Sequence, residues 1–161
     1  MSYMKNSRVF ILLLLITYAF NAFPQAIQRN VVVLEIGTGC GYQAAVLARV
    51  AKEVYSVERI LPLYERARNT LRELKIFNVT LRYTDGTAGL PDVAPFDGII
   101  MTCAAPALSD VLREQLAVGG RMVLPMGTQE QYLYLIERDE SGFRETRLDA
   151  VKFVPLMMGK A

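Results

Sequence analysis

Residues 33–42 read VLEIGTGCGY. The apolar, β-branched run Val31–Ile36 ends at three glycines, Gly37, Gly39 and Gly41, and a helix-compatible segment, Gly41–Ala51, begins at once. Such a run is how a strand buried on both faces reads. Glycine lets the backbone turn sharply and approach a ligand without a Cβ, and a helix start offers free N–H groups. The stretch predicts a strand–loop–helix unit of nucleotide-binding type, set against a tight turn that holds nothing. Its spacing excludes two versions. A dinucleotide fingerprint needs G-x-G-x-x-G, but position 42 is Tyr and the third glycine comes one residue early. A phosphate-cradling loop needs Gly-Lys-Ser/Thr, and that triplet is missing.

Reading outward, the chain alternates. Glu53–Val57 is a short strand, Leu61–Leu74 a helix with Pro62 in its first turn, and Asn78–Tyr83 a third strand. A turn-rich loop, Thr84–Pro95, leads to a fourth strand, Phe96–Met101. A helix over Ala107–Leu116 follows, then a turn at Gly119-Gly120 and a fifth strand, Arg121–Pro125. Beyond Gly127 two alternating strands, Gln131–Arg138 and Phe143–Pro155, are joined by Glu140-Ser141-Gly142. This is the plan of an α/β doubly wound, mostly parallel sheet with a C-terminal β-hairpin at its edge.

Composition narrows the chemistry. A chain of 161 residues with 52% hydrophobic content buries one core, so one domain is expected from residue 31 to 161. The net charge of +2 comes from residues 1–30, which hold Lys5, Arg8 and Arg29 and no acid. The remainder has 15 basic against 16 acidic residues, too balanced for a nucleic-acid partner. There is no His in the sequence, which removes the usual general base, the imidazole-dependent triads and most catalytic zinc sites. The two cysteines, Cys40 and Cys103, suit neither a disulfide framework nor a metal cluster, and no metal is expected. Each follows a strand, and the plan makes those strands neighbours. An oxidised Cys40–Cys103 pair obstructing the crevice is therefore weighed against two unreactive small residues.

Residues 1–30 stand apart. A weakly basic start precedes the apolar run Val9–Phe20 (VFILLLLITYAF), like the first two regions of a secretory signal. The run is shorter than the ~20 residues of a membrane-crossing helix, and no small-x-small cleavage pattern follows it. Export through residues 1–22, a helix packed on the sheet, and an altered start to the gene are the three readings. A cytoplasmic protein is the leading expectation.

The pattern E-x-G-x-G-x-G, beginning at Glu35, resembles that of S-adenosylmethionine-dependent methyltransferases. In that setting two further acids acquire roles. Glu58 follows the second strand, about 20 residues past the glycines, where a carboxylate accepts hydrogen bonds from ribose hydroxyls. Asp85-Gly86 follows the third strand, where a carboxylate meets an adenine amino group. Glu35 itself is expected to serve the glycine loop or the methionine end of the cofactor.

The remaining segments resemble one family, the protein-L-isoaspartate O-methyltransferases. These segments are VLEIGTGCGYQ (33–43), VYSVERI (54–60), NVTLRYTDG (78–86), APFDGIIMTCAAP (94–106), GGRMVLPMG (119–127) and VKFVPL (151–156). The similarity runs from about Val32 to Leu156. It implies S-adenosyl-L-methionine as cofactor, held by Glu35, Gly37, Gly39, Gly41, Glu58, Asp85 and Gly86. It further implies isoaspartyl peptides and proteins as substrates, with Val154, Pro155 and Leu156 lining the peptide groove; a monomer is expected. An edge strand ended by proline is the competing reading of Phe153–Leu156. Thr102–Pro106 either closes the site floor or is a loop of small residues. Members of the family methylate the isoaspartyl carboxylate, and the ester closes to a succinimide that reopens to aspartate. The family also has a Gly-x-x-Ile-Ser-Gln-Pro segment before the glycine loop, whose serine sits at the methyl-transfer site. Nothing in residues 1–30 matches it, so no catalytic residue is assigned. Another methyltransferase with a small-molecule substrate and an inactive cofactor-binding remnant are the alternatives.

Overall fold

A computed structural model describes residues 30–161; the readings of the N-terminal apolar run lie outside the described residues. The elements in chain order are β1 (Val32–Ile36), α1 (Tyr42–Leu47), β2 (Glu53–Glu58), α2 (Leu61–Glu73), β3 (Val79–Tyr83), β4 (Phe96–Met101), α3 (Asp110–Glu114), β5 (Leu116–Met126), β6 (Gln131–Asp139) and β7 (Gly142–Val151). The seven strands form one sheet in the order β3-β2-β1-β4-β5-β6-β7. Strands β1 to β5 pair in parallel, while β6 and β7 add antiparallel. This is the expected doubly wound sheet with its hairpin at one edge.

Continuous apolar runs mark the strands covered on both faces. Leu34 and Ile36 of β1 join one core cluster, and Val31 and Val33 join the other. Likewise Ile99 and Met101 of β4 face one side and Ile100 the other. Strand order reverses between β1 and β4, so the loops leaving their carboxyl ends diverge and open a crevice, as ligand sites in open α/β sheets require.

Three boundaries differ from the periodic reading. The helix expected over Gly41–Ala51 ends at Leu47 and tightens into i→i+3 turns, Arg49 N–H to Val46 O and Val50 N–H to Leu47 O. Asn78 stops it there: its side-chain amide donates to Ala48 O at 2.9 Å and Ala51 O at 3.2 Å. The helix expected over Ala107–Leu116 is confined to α3, and its last residues join the sheet. Leu116 pairs with Phe96 and the register then jumps to Gly98↔Arg121, so Ala117–Gly120 bulge out at the start of β5 rather than forming a separate turn. Finally, the strand expected to run to Pro155 ends at Val151. The Gln131 side chain takes over as a substitute pairing partner, donating to Phe153 O at 3.1 Å and accepting the Phe153 N–H at 2.6 Å. From there the chain crosses the carboxyl edge of the sheet. Its Val154 O accepts the Ala104 N–H, and its Leu156 N–H donates to Ala104 O, both at 2.8 Å.

Candidate functional site

The glycine loop is shaped by what presses on it. Gly37 sits at φ 101°, and a Cβ there would lie 2.3 Å from Thr102 Oγ1. That hydroxyl instead donates to Gly37 O at 2.5 Å and Ile36 O at 3.2 Å, tying the loop after β1 to the loop after β4. Gly41, at φ 82°, leads into α1, and its missing Cβ makes room for Ala67 of α2. Small residues on two neighbouring elements therefore set the path of the loop.

Glu58, at the end of β2, is buried and accepts the Gly39 N–H at 2.8 Å and the Ile60 N–H at 2.9 Å. Each carboxylate oxygen keeps a second lone pair for a ligand. Glu35 is fully enclosed. It accepts a hydrogen bond from the Ser56 hydroxyl, which is linked in turn to Thr38 Oγ1 at 2.5 Å. Its other oxygen has no partner. Burial, aided by the charge of Glu58, outweighs the Ser56 hydrogen bond and pushes the Glu35 carboxyl up to about 8. Asp85 is held by its own loop and by the chain end, accepting from Thr87 N and Oγ1 and from Gly159 N. Partial burial opposes its ionisation, but these donors prevail and hold the carboxyl below the usual aspartate value.

At the carboxyl edge these loops enclose a cavity of about 430 Å³. Of the residues singled out from the sequence, Gly37, Gly39, Glu58, Gly86, Val154, Pro155 and Leu156 line it. Glu35, Gly41 and Asp85, expected to hold the cofactor, do not line it: Glu35 lies within the strand end, Gly41 packs against Ala67, and Asp85 is engaged by Thr87 and Gly159. Thr102 and Cys103 contribute to the floor. The segment after β7 is therefore a wall of the cavity, not an edge strand. On its other side lies a second, more polar hollow of about 540 Å³, which Pro155 and Leu156 also line, together with Phe153 and Gln131. Cys40 is exposed and Cys103 buried; burial and then the Glu58 charge push the Cys103 thiol up to about 12. Near neutral pH that thiol supplies no thiolate, which favours two unreactive residues over an oxidised pair.

Sequence reading did not single out several neighbours of the site. Arg59 and Leu63 line the cavity, and Gln43 is buried with both side-chain polar atoms unpartnered. Only Gln43 carried a signal, as a polar residue on the apolar face of its helix. Among the described residues no cluster of His, Cys, Asp and Glu could hold a metal ion, and no helix is long and apolar enough to cross a membrane.

Parallel strands reversing order at a glycine loop, with an acid at the end of the next strand and a cavity between, define a Rossmann-like domain of the methyltransferase type. The chain belongs to the protein-L-isoaspartate(D-aspartate) O-methyltransferase family, whose sequence pattern matches residues 14–161. That range begins inside the N-terminal apolar run, earlier than the resemblance from Val32. A protein-L-isoaspartate O-methyltransferase of Methylobacillus flagellatus is 61% identical over 131 residues, covering 79% of this chain and 59% of that protein. One from Nitrosospira multiformis is 60% identical over 127 residues, covering 79% and 60%. The chain thus spans about three fifths of the length of these relatives. Among solved structures, a protein-L-isoaspartate O-methyltransferase superposes with a TM-score of 0.81 at 26% identity, covering 92% of this chain and 48% of that one. A putative one from Plasmodium falciparum, in complex with S-adenosyl-L-homocysteine, gives 0.79 at 22% identity, covering 91% and 73%.

Proposed function

We propose that this chain is a protein-L-isoaspartate O-methyltransferase. In this reading it binds S-adenosyl-L-methionine in the 430 Å³ cavity and transfers the methyl group to the carboxylate of isoaspartyl residues in damaged proteins. The observation that carries the reading is the joint placement of Gly37, Gly39, Glu58 and Gly86 around one cavity whose remaining wall is Val154–Leu156. The residues present fit the cofactor. Apolar side chains of Ile36, Val57, Ile60 and Leu63 suit an adenine ring and an alkyl chain, and Glu58 has acceptor capacity left for ribose hydroxyls. Gly86 cannot carry a side chain, because a Cβ would meet Ile36 at 2.6 Å. Asp85 shapes this loop through Thr87. Glu35 braces the glycine loop through the Ser56–Thr38 chain, and Gly41 lets α1 pack under it.

When bound, the cofactor supplies an electrophilic methyl group. The substrate carboxylate, with a reference pKa of ~4, is already an anionic nucleophile near pH 7, so no general base is needed. That agrees with a chain lacking histidine. The protein's task is to hold acceptor and methyl carbon in line and to exclude water, and the segment Val154–Leu156 borders the place where this would happen. Gln131 and Ala104 fix that wall from either side. The peptide would lie along the hollow beyond it, and a monomer working in the cytoplasm suits such a role. Residues 31–161 would form the catalytic domain.

The alternative is a protein that binds the cofactor without turnover. Incubation with methyl-labelled S-adenosylmethionine and matched peptides separates the readings. Label in the isoaspartyl peptide but not in its aspartyl counterpart is expected. Equal labelling of both, or label in neither, counts against the proposal.

A further inference from the structure

The last five residues of the sequence, Met157–Ala161, are all exposed, yet they are fastened along their length. The Ala161 N–H donates to Arg59 O at 2.7 Å, and Ala161 O accepts the Leu61 N–H at 2.7 Å and the Tyr83 hydroxyl at 3.2 Å. The Arg59 guanidinium donates to Gly159 O at 2.7 Å and Met158 O at 3.5 Å. Gly159 N–H donates to Asp85 Oδ2 at 2.6 Å, and the Lys160 ammonium lies 5.1 Å from the centre of the Tyr83 ring. A segment with no buried side chain gains little from the hydrophobic effect, so its order rests on these polar contacts. Each exchanges readily for contacts with water. The segment is thus ordered but easily released.

Its anchors sit where a strap would be useful. Arg59–Leu61 follow directly on Glu58, and Asp85 precedes Gly86, so the fastening points adjoin the two loops assigned to ribose and adenine. Met157 and Arg59 also line the cavity. On the strap side the hydrogen bonds are made by main-chain groups; on the body side the specific groups are the side chains of Arg59, Tyr83 and Asp85.

We propose, resting on the cofactor-binding reading above, that Met157–Ala161 is a strap that closes the adenosine end of the cavity. Latched, it retains the cofactor; released, it gives passage in and out. Arg59 and Tyr83 are the positioning residues that latch it.

The test is rapid-filtration kinetics of labelled S-adenosylmethionine on the full chain, a chain ending at Leu156, and Tyr83→Phe, with folding checked by circular dichroism. Removing the strap is expected to raise both association and dissociation rates, dissociation by roughly ten-fold. Tyr83→Phe keeps the ring and loses only the hydroxyl, so it is expected to raise dissociation by roughly two- to three-fold without slowing association. A purely structural role would lower the association rate instead. Binding by all three proteins with equal dissociation rates, or slower association in the shortened chain, overturns the strap alone. Failure of the intact, folded chain to bind overturns the cofactor reading and the strap with it.

Discussion

Glu35 concentrates the electrostatics of the site in one side chain. Its carboxyl ionises near 8 when folded and at about 4.5 when exposed, so between those values the folded state holds a proton that the unfolded chain has released. Stability contributed by this group is greatest below pH 4.5, declines as pH rises toward 8 and then levels off, by roughly 5 kcal/mol at most. Glu35→Gln keeps an acceptor for Ser56 and removes the titration. Its melting temperature is therefore expected to fall less than that of the parent between pH 5 and 8; parallel curves would contradict the assignment. Gln43 poses the opposite problem, a buried amide with no partner. Replacing it with methionine, similar in shape and without the unmet hydrogen bonds, is expected to stabilise the unliganded protein by ~1–2 kcal/mol, read as a higher urea midpoint. A lower midpoint would show that the amide has a partner in solution. Glu35 was legible from the glycine pattern, but its tie to Ser56 was not. That tie depends on the β1–β2 register, which sets Glu35 opposite Ser56.

The strand and loop elements of the site make different demands on their glycines. At Gly37 a methyl group meets Thr102 Oγ1 at 2.3 Å and the backbone is at φ 101°, whereas at Gly39 the space is open and φ is 55°. Gly37→Ala is expected to destabilise by ~2–3 kcal/mol, and Gly39→Ala by ~1 kcal/mol. Equal urea midpoints for the two variants would refute the close contact between the loops. The segment after β7 depends on Gln131 rather than on sheet pairing. Gln131→Ala removes two hydrogen bonds that hold Phe153 and is expected to raise KM for an isoaspartyl peptide several-fold, ~1 kcal/mol, with affinity for S-adenosylhomocysteine retained. A KM equal to that of the parent would detach this wall from the substrate. Elements with strong periodicity or clear punctuation, such as β1, α2 and β4, could be read from the sequence nearly to the residue. The ends of α1, α3 and β7 could not, because distant side chains and strand partners set them: Asn78, Phe96 and Gln131.

For the molecule as a whole, alternation of strands and helices was enough to predict the doubly wound sheet, and the glycine loop located its reversal point. Which loops meet there is a matter of strand order, and order places Thr102 and Cys103 beside Gly37 although 65 residues separate Thr102 from it in sequence. The crossing of Phe153–Leu156 over the sheet edge had no local signal at all, since an apolar stretch with a proline reads equally as an edge strand. The central proposal is that the carboxyl edge between β1, β2 and β4 receives an adenosyl sulfur compound. Isothermal titration of the purified, folded chain with S-adenosylhomocysteine tests it directly. The structure predicts saturable heat at one molecule per chain, reduced by Glu58→Ala. Absence of binding by protein whose fold is intact would contradict it.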